Sequence, residues 1–362
     1  MTGALRSALV LVILLARTVA AGTLQPVAEF GANPGALSMF EYVPANLGAQ
    51  RPLVVAMHGC TQQASSMEAA GWNTLADEHG FAVIYPEQRA ANNSLRCFNW
   101  AGEFGDTANL ERGMGENASI MAMIDHAITA HDLDPTRVYV TGLSAGGAFT
   151  AVMMATWPDR FAAAAIVAGL PYRCATSLAE ANTCASPGVV KSAAAWGDLV
   201  RAAGTGPWPP LQIWQGSADS TVAPSNATEL VKQWTNVHGT DDIADATETL
   251  GKATRTEHRV GSQIVVEEYV IAGMGHAVPI GGADCPATAG AFFSDQGICS
   301  TTRAAAFFGL LDDGGTGSGS GGSGDGDELS SGGCSTGHHD GLAVLALVLL
   351  ALRIRGGTNK QS

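Results

Sequence analysis

Positive charge is scarce in this chain. Its 19 lysines and arginines stand against 33 aspartates and glutamates, a net charge of −14. That balance makes nucleic acid and anionic membrane surfaces poor partners and favours solubility outside the cell. The seven cysteines show no C-x-x-C spacing, so a zinc or dithiol redox site is not expected. No H-x-x-H or H-E-x-x-H cluster occurs, which disfavours metal-dependent hydrolysis, and no cofactor is expected. No internal repeat is visible. Near the N-terminus, the apolar run Ala8–Ala16 is too short to span a bilayer comfortably.

That run fits a secretory signal peptide, 1–21. Arg6 precedes it, and the small residues Val19, Ala20 and Ala21 that follow suit a cleavage site. At the other end, 312–333 is dominated by Gly, Ser, Asp and Glu. Such a segment cannot bury enough apolar surface to fold, so a flexible linker is expected. Beyond it, 334–362 holds Cys334, the apolar run Gly341–Leu352, and Arg353 and Arg355. Between the two ends, 22–311 is long enough for one large domain with a full core, expected to be monomeric.

Within that domain, apolar runs recur at Pro52–Met57, Phe81–Tyr85, Arg137–Thr141, Ala162–Val167, Leu211–Trp214 and Ile264–Ile271. Helical patterns lie between several of them, at Ser66–Glu78, Asn117–His131, Ala145–Trp157 and Asn226–His238. Near-continuous apolar strands alternating with helices predict an α/β fold, a mostly parallel central sheet flanked by helices. Active groups then belong at the carboxyl ends of the strands. The segment Cys174–Pro210 has no clear period and reads as an excursion over the site.

The most informative stretch is Gly142-Leu143-Ser144-Ala145-Gly146, between a β-branched strand and an Ala/Met-rich helical run that stops at Pro158. This is the pattern of a nucleophile elbow, a serine on a tight strand-to-helix turn that only small flanking residues permit. A second G-x-S-x-G, at Gly333–Gly337, has no strand before it, so context selects Ser144. A serine hydroxyl needs a histidine to take its proton, and the histidine needs a carboxylate to fix its tautomer. In chain order the acid follows the serine and the histidine comes last.

Asp219 lies in the Gly/Ser-rich loop after the strand at 211–214, where a turn-capping aspartate is the alternative role. Asp241 and Asp242 lie in a polar stretch beyond a helix and read as solvated. His276 sits among glycines directly after the strand at 264–271. His79, His126, His131, His238 and His258 read as surface or helix-end residues. For the oxyanion hole, the backbone N–H of Ala145 is one donor and that of Cys60, in the loop after the strand at 52–57, is the second. His58 reads as a packed histidine at that strand's end, with no proton-transfer role. The domain's six cysteines are Cys60, Cys97, Cys174, Cys184, Cys285 and Cys299, an even number in a chain marked for export, so three disulfides are expected. Pairing Cys174 with Cys184 and Cys285 with Cys299 closes short loops, and Cys60 with Cys97 ties two loops near the site. Six cysteines allow many other pairings.

Together, HGCTQ at 58–62, AGWN at 70–73, YPEQ at 85–88, CFNW at 97–100, GLSAGG at 142–147, QGSADSTV at 215–222 and GMGHAVP at 273–279 resemble extracellular poly(3-hydroxybutyrate) depolymerases and their esterase relatives. The resemblance runs from about residue 25 to 311. It implies an α/β-hydrolase fold and ester hydrolysis through an acyl-enzyme, with Ser144, Asp219 and His276 matching the triad and Cys60 the oxyanion position. It also implies that Trp100 lines the substrate-binding face, with a core aromatic as the alternative. The tail resembles a myxobacterial C-terminal sorting signal, which implies processing and attachment to the cell envelope through Cys334. A plain membrane anchor is the alternative.

Depolymerases of crystalline polymer usually carry a separate substrate-binding domain after a linker. Here the linker leads straight to the tail. Polyester is the expected substrate, and feruloyl or acetyl esters of plant polysaccharide are the alternative. An inactive, surface-displayed binding module is a third reading, and it is disfavoured because all three triad positions are filled.

Overall fold

Short runs rich in Val, Ile and Ala build the centre of the molecule. The structure, a computed structural model, describes residues 23–102 and 107–311. The expected signal peptide, the linker, and the tail with Cys334 lie outside the described residues. The order is β1 (Gln25–Val27), β2 (Ser38–Tyr42), β3 (Leu53–Met57), α1 (Ala64–Glu68), α2 (Trp72–His79), β4 (Ala82–Glu87) and α3 (Gly115–His131). Then come β5 (Val138–Leu143), α4 (Ala145–Thr156), β6 (Ala163–Val167), α5 (Leu178–Ala185), α6 (Ala193–Ala203), β7 (Leu211–Gly216) and α7 (Ser225–His238). The chain continues with β8 (Ala246–Leu250), β9 (Ala253–Val260), β10 (Gln263–Ile271), β11 (Val278–Ile280), β12 (Phe293–Asp295) and α8 (Ser300–Phe307).

One sheet runs β1-β2-β4-β3-β5-β6-β7-β10-β9-β8. From β4 to β10 every neighbouring pair is parallel, and both edges are antiparallel. Residues of β3, β5, β6 and β7 are buried throughout, as strands covered on both faces must be. Alternate side chains feed two cores. Leu53, Val55 and Met57 of β3 face the one built with α3, α4, α6 and α7, while Val54 and Ala56 face the one built with α2 and α8. This is the expected α/β-hydrolase architecture.

The strand after β3 in the chain, β4, lies to one side of it, and β5 lies to the other. The order reverses there, and open α/β sheets bind ligands beyond the carboxyl ends of the strands at such a switch point.

Each expected strand is present within a few residues of its predicted bounds. The helix expected at Ser66–Glu78 is instead two, α1 and α2. Gly71 breaks it with φ of 90°, and a Cβ there would lie 2.7 Å from Pro286 Cγ, so neither conformation nor space admits a larger residue. The segment Cys174–Pro210 is also more regular than expected. It contains α5 and α6, each started by a serine side chain that accepts from a backbone N–H, Ser177 from Glu180 and Ser192 from Ala195. Helix α6 packs on α4 and α7. Its Trp196 is fully buried, with Nε1 donating to Glu229 at 2.6 Å.

Candidate active site

Ser144 leaves β5 with φ 57° and ψ −118°, a strained left-handed conformation that aims a side chain out of the strand-to-helix turn. The flanking glycines are sterically required. A Cβ on Gly142 would lie 2.3 Å from the carbonyl carbon of Gly146, and one on Gly146 would lie 2.4 Å from the Met57 oxygen. The backbone pins the turn itself: Ser144 N–H donates to Val167 O at 2.9 Å, and Ser144 O accepts from Ala148 N–H at 2.8 Å. Ala145 opens α4, where an N–H has no acceptor within the helix.

Asp219 and His276 meet although 57 residues apart, with His276 Nδ1 donating to Asp219 Oδ2 at 2.7 Å. The other oxygen is occupied: Oδ1 accepts from the N–H groups of Thr221 at 2.8 Å and Val222 at 2.9 Å. Asp219 therefore caps its turn with one oxygen and holds the imidazole with the other. Gln215 Nε2 adds a longer bond to Oδ2 at 3.3 Å. The carboxylate is fully buried, while the imidazole is 10% exposed. Their two loops are stitched together by Ser217 N–H to Ile271 O at 2.9 Å, Ala218 N–H to Met274 O at 3.0 Å and Gly273 N–H to Ser217 Oγ at 2.9 Å. The ring of Phe292 stands edge-on to His276 at 6.4 Å.

The loop after β3 lies against the nucleophile. A Cβ on Gly59 would be 3.2 Å from Ser144 Cβ. Gln62 Oε1 accepts from Gly59 N–H at 2.8 Å, Thr61 N–H donates to Leu95 O at 2.6 Å, and Cys60 is bonded to Cys97. The disulfides Cys174–Cys184 and Cys285–Cys299 complete the expected set. Removing the first bridge by Cys60→Ser with Cys97→Ser frees a loop closed over a sequence separation of 37. Urea titration should show a loss of about 2–4 kcal/mol. Turnover should fall with it, because the loop beside Ser144 loses its covalent tie. Unchanged kcat in the doubly substituted protein would mean that the bridge has no part in holding the loop.

Trp100 is 9% exposed and packs in the larger core, so little of it reaches solvent. His258 is not the surface residue the sequence predicts: on β9 it is 3% exposed, buried next to Glu257. Asp241 and Asp242 are exposed, as expected. Sequence reasoning assigned no role to Gln62, Gln215 or Phe292. The two glutamines lie inside the quoted segments HGCTQ and QGSADSTV, while nothing local marks Phe292.

A family model described as esterase PHB depolymerase matches residues 37–261. The chain is 48% identical over 307 residues to poly(3-hydroxyalkanoate) depolymerase C of Paucimonas lemoignei, covering 83% of this chain and 73% of that protein. Feruloyl esterase B of Talaromyces stipitatus is 34% identical over 288 residues, 75% of this chain and 78% of that protein. Among solved structures, an acetyl xylan esterase from Aspergillus awamori matches with a TM-score of 0.68 at 30% identity, over 80% of this chain and 100% of that one. With a serine elbow, a paired buried carboxylate and imidazole, and a rigid loop between β3 and α1 all on one edge of the sheet, the chain belongs to the esterase PHB depolymerase family and is a carboxylic ester hydrolase of the α/β-hydrolase fold.

Proposed function

We propose that the protein hydrolyses poly(3-hydroxyalkanoate) chains or oligomers, of the 3-hydroxybutyrate type, through an acyl-enzyme on Ser144. The observation that carries the substrate is the 48% identity to a poly(3-hydroxyalkanoate) depolymerase, against 34% to the feruloyl esterase. In this reading His276 Nε2 takes the Ser144 proton as Oγ attacks the ester carbonyl. Asp219 holds Nδ1–H, which keeps Nε2 free to accept and stabilises the imidazolium. The N–H groups of Cys60 and Ala145 receive the oxyanion. The intermediate collapses, and His276 protonates the departing alkoxide. Water, deprotonated by His276, then releases the hydroxyacid and restores Ser144.

Export fits this substrate, because the polymer is too large to enter a cell. The three disulfides support an oxidising compartment. In the same proposal the domain acts as a monomer, the leader 1–21 is removed, and the tail with Cys334 holds the enzyme at the envelope.

A second reading, deacetylation of xylan, is favoured by the structural match to the acetyl xylan esterase. A hydrolysis panel separates the two. Amorphous poly(3-hydroxybutyrate), acetylated xylan and methyl ferulate are offered to the same preparation, and acid release is measured. The proposal expects the polyester to give the highest rate and 3-hydroxybutyrate or its short oligomers as products. Faster release of acetate or ferulate would replace it with the polysaccharide reading.

A further inference from the structure

We propose that His58 is a positioning residue for the oxyanion hole, its ring holding the Gly59–Cys60 peptide so that the Cys60 N–H faces the oxyanion forming at Ser144. This rests on the acyl-enzyme reading above. His58 follows β3 and is fully buried. Its Nδ1 is 2.7 Å from Gly59 O, and its Nε2 is 3.0 Å from Gln88 N. A carbonyl oxygen only accepts, so Nδ1 must carry the proton. A backbone N–H only donates, so Nε2 must be the bare nitrogen. Both contacts require one neutral tautomer, and neither nitrogen is left to shuttle a proton. Burial agrees: it pushes the imidazole down to about 4, against the Gly59 bond, and the nearby Arg96 charge adds to the depression.

The consequence follows from peptide geometry. In a planar trans peptide the C=O and the next N–H point in opposite directions. A donor that fixes Gly59 O from the protein interior therefore turns the Cys60 N–H outward, and this peptide lies against Ser144. Donation to the carbonyl also polarises the peptide and strengthens its N–H as a donor. Gly59 O accepts from Gln62 N–H as well, at a longer 3.3 Å. The anchor is itself held. Gln88 Nε2 donates to Glu116 at 2.5 Å and to Cys97 O at 3.1 Å, and the Phe98 ring packs against His58 at 5.0 Å. Glu116 also accepts from Asn99 N–H at 2.9 Å, so one buried carboxylate braces both Gln88 and the segment that carries Cys97.

Two substitutions divide the ring's two bonds. In His58→Asn the amide NH₂ falls near the Nδ1 position and keeps the donor to Gly59, while the contact to Gln88 is lost. In His58→Gln the longer side chain keeps an acceptor for Gln88 and loses the donor to Gly59. With p-nitrophenyl butyrate, His58→Gln should lose roughly 10- to 100-fold in kcat, with KM within about twofold of the wild type. His58→Asn should stay within about fivefold of the wild-type kcat even where its Tm falls as far. Equal kcat in the two variants, or the reverse order, overturns the proposal, since a merely structural histidine predicts activity that tracks stability.

If neither variant folds, ¹⁵N-histidine NMR of the unmodified protein decides. A neutral ring protonated at Nδ1 and bare at Nε2 is expected, and the opposite tautomer overturns the assignment because Nδ1 could not then donate to Gly59. A fluorophosphonate distinguishes the two levels of failure. No label on Ser144 of the wild type overturns the acyl-enzyme reading itself, whereas labelled Ser144 with equal kcat in both variants overturns only the role of His58.

Discussion

Ser144→Ala should fold as the wild type does and lose about 10³-fold or more in kcat on p-nitrophenyl butyrate. The fold should survive because Oγ holds nothing in the turn. The elbow is set by the space that Gly142 and Gly146 leave and by the backbone bonds to Val167 and Ala148. Alanine carries the same Cβ at φ 57°, so the strain is neither relieved nor increased. Activity should collapse because alanine has no hydroxyl to attack the ester carbonyl. Urea titration with steady-state kinetics checks both halves. A variant that retains more than a few per cent of wild-type turnover would remove Ser144 from the mechanism.

His276 and Asp219 should behave with Ser144 as one unit. His276→Ala alone should cost about as much as Ser144→Ala, and combining the two should cost little more, because either change disables the same proton transfer. Asp219 offers a finer test, since its two oxygens have different partners. Asp219→Asn keeps an oxygen for the Thr221 and Val222 N–H groups but can set an amide donor against His276 Nδ1–H. It should remain folded while kcat falls about 10³- to 10⁴-fold. Asp219→Ala also loses the turn cap, so it should be destabilised by about 1–3 kcal/mol relative to Asp219→Asn. Fully additive losses in the Ser144 and His276 cycle would mean that the residues do not share a step.

The turn at Ser144 and the loops that carry Asp219 and His276 were legible because each is announced by its own neighbours. Ser144 sits between a strand and a helix with glycines two residues either side, Asp219 follows a strand in a turn-forming loop, and His276 follows a strand among glycines. Each placement needs only local pattern and chain order. What escaped the sequence depends on contacts between distant segments. The partnership of His58 with Gln88 requires β3 and the end of β4 to lie side by side, 30 residues apart.

The break at Gly71 was hidden for a similar reason, since the group that forbids a side chain there is Pro286, more than two hundred residues away. Helix α6 was missed because the alanine-rich run around it blurs the period, although Trp196 and Val200 do fall on one buried face. The antiparallel edge went unread because β8 is polar and almost wholly exposed, so no apolar alternation marks it. The cysteine pairing, in contrast, followed the expected short loops and the one long tie.

The acyl-enzyme proposed on Ser144, formed with the help of the Asp219–His276 pair, can be intercepted by labelling with a fluorophosphonate, followed by intact mass spectrometry and peptide mapping. One adduct per chain is expected, on Ser144, with loss of turnover in proportion to labelling and far slower labelling of the His276→Ala variant. An adduct on any other residue, or a fully labelled protein that still cleaves ester at the wild-type rate, would contradict it.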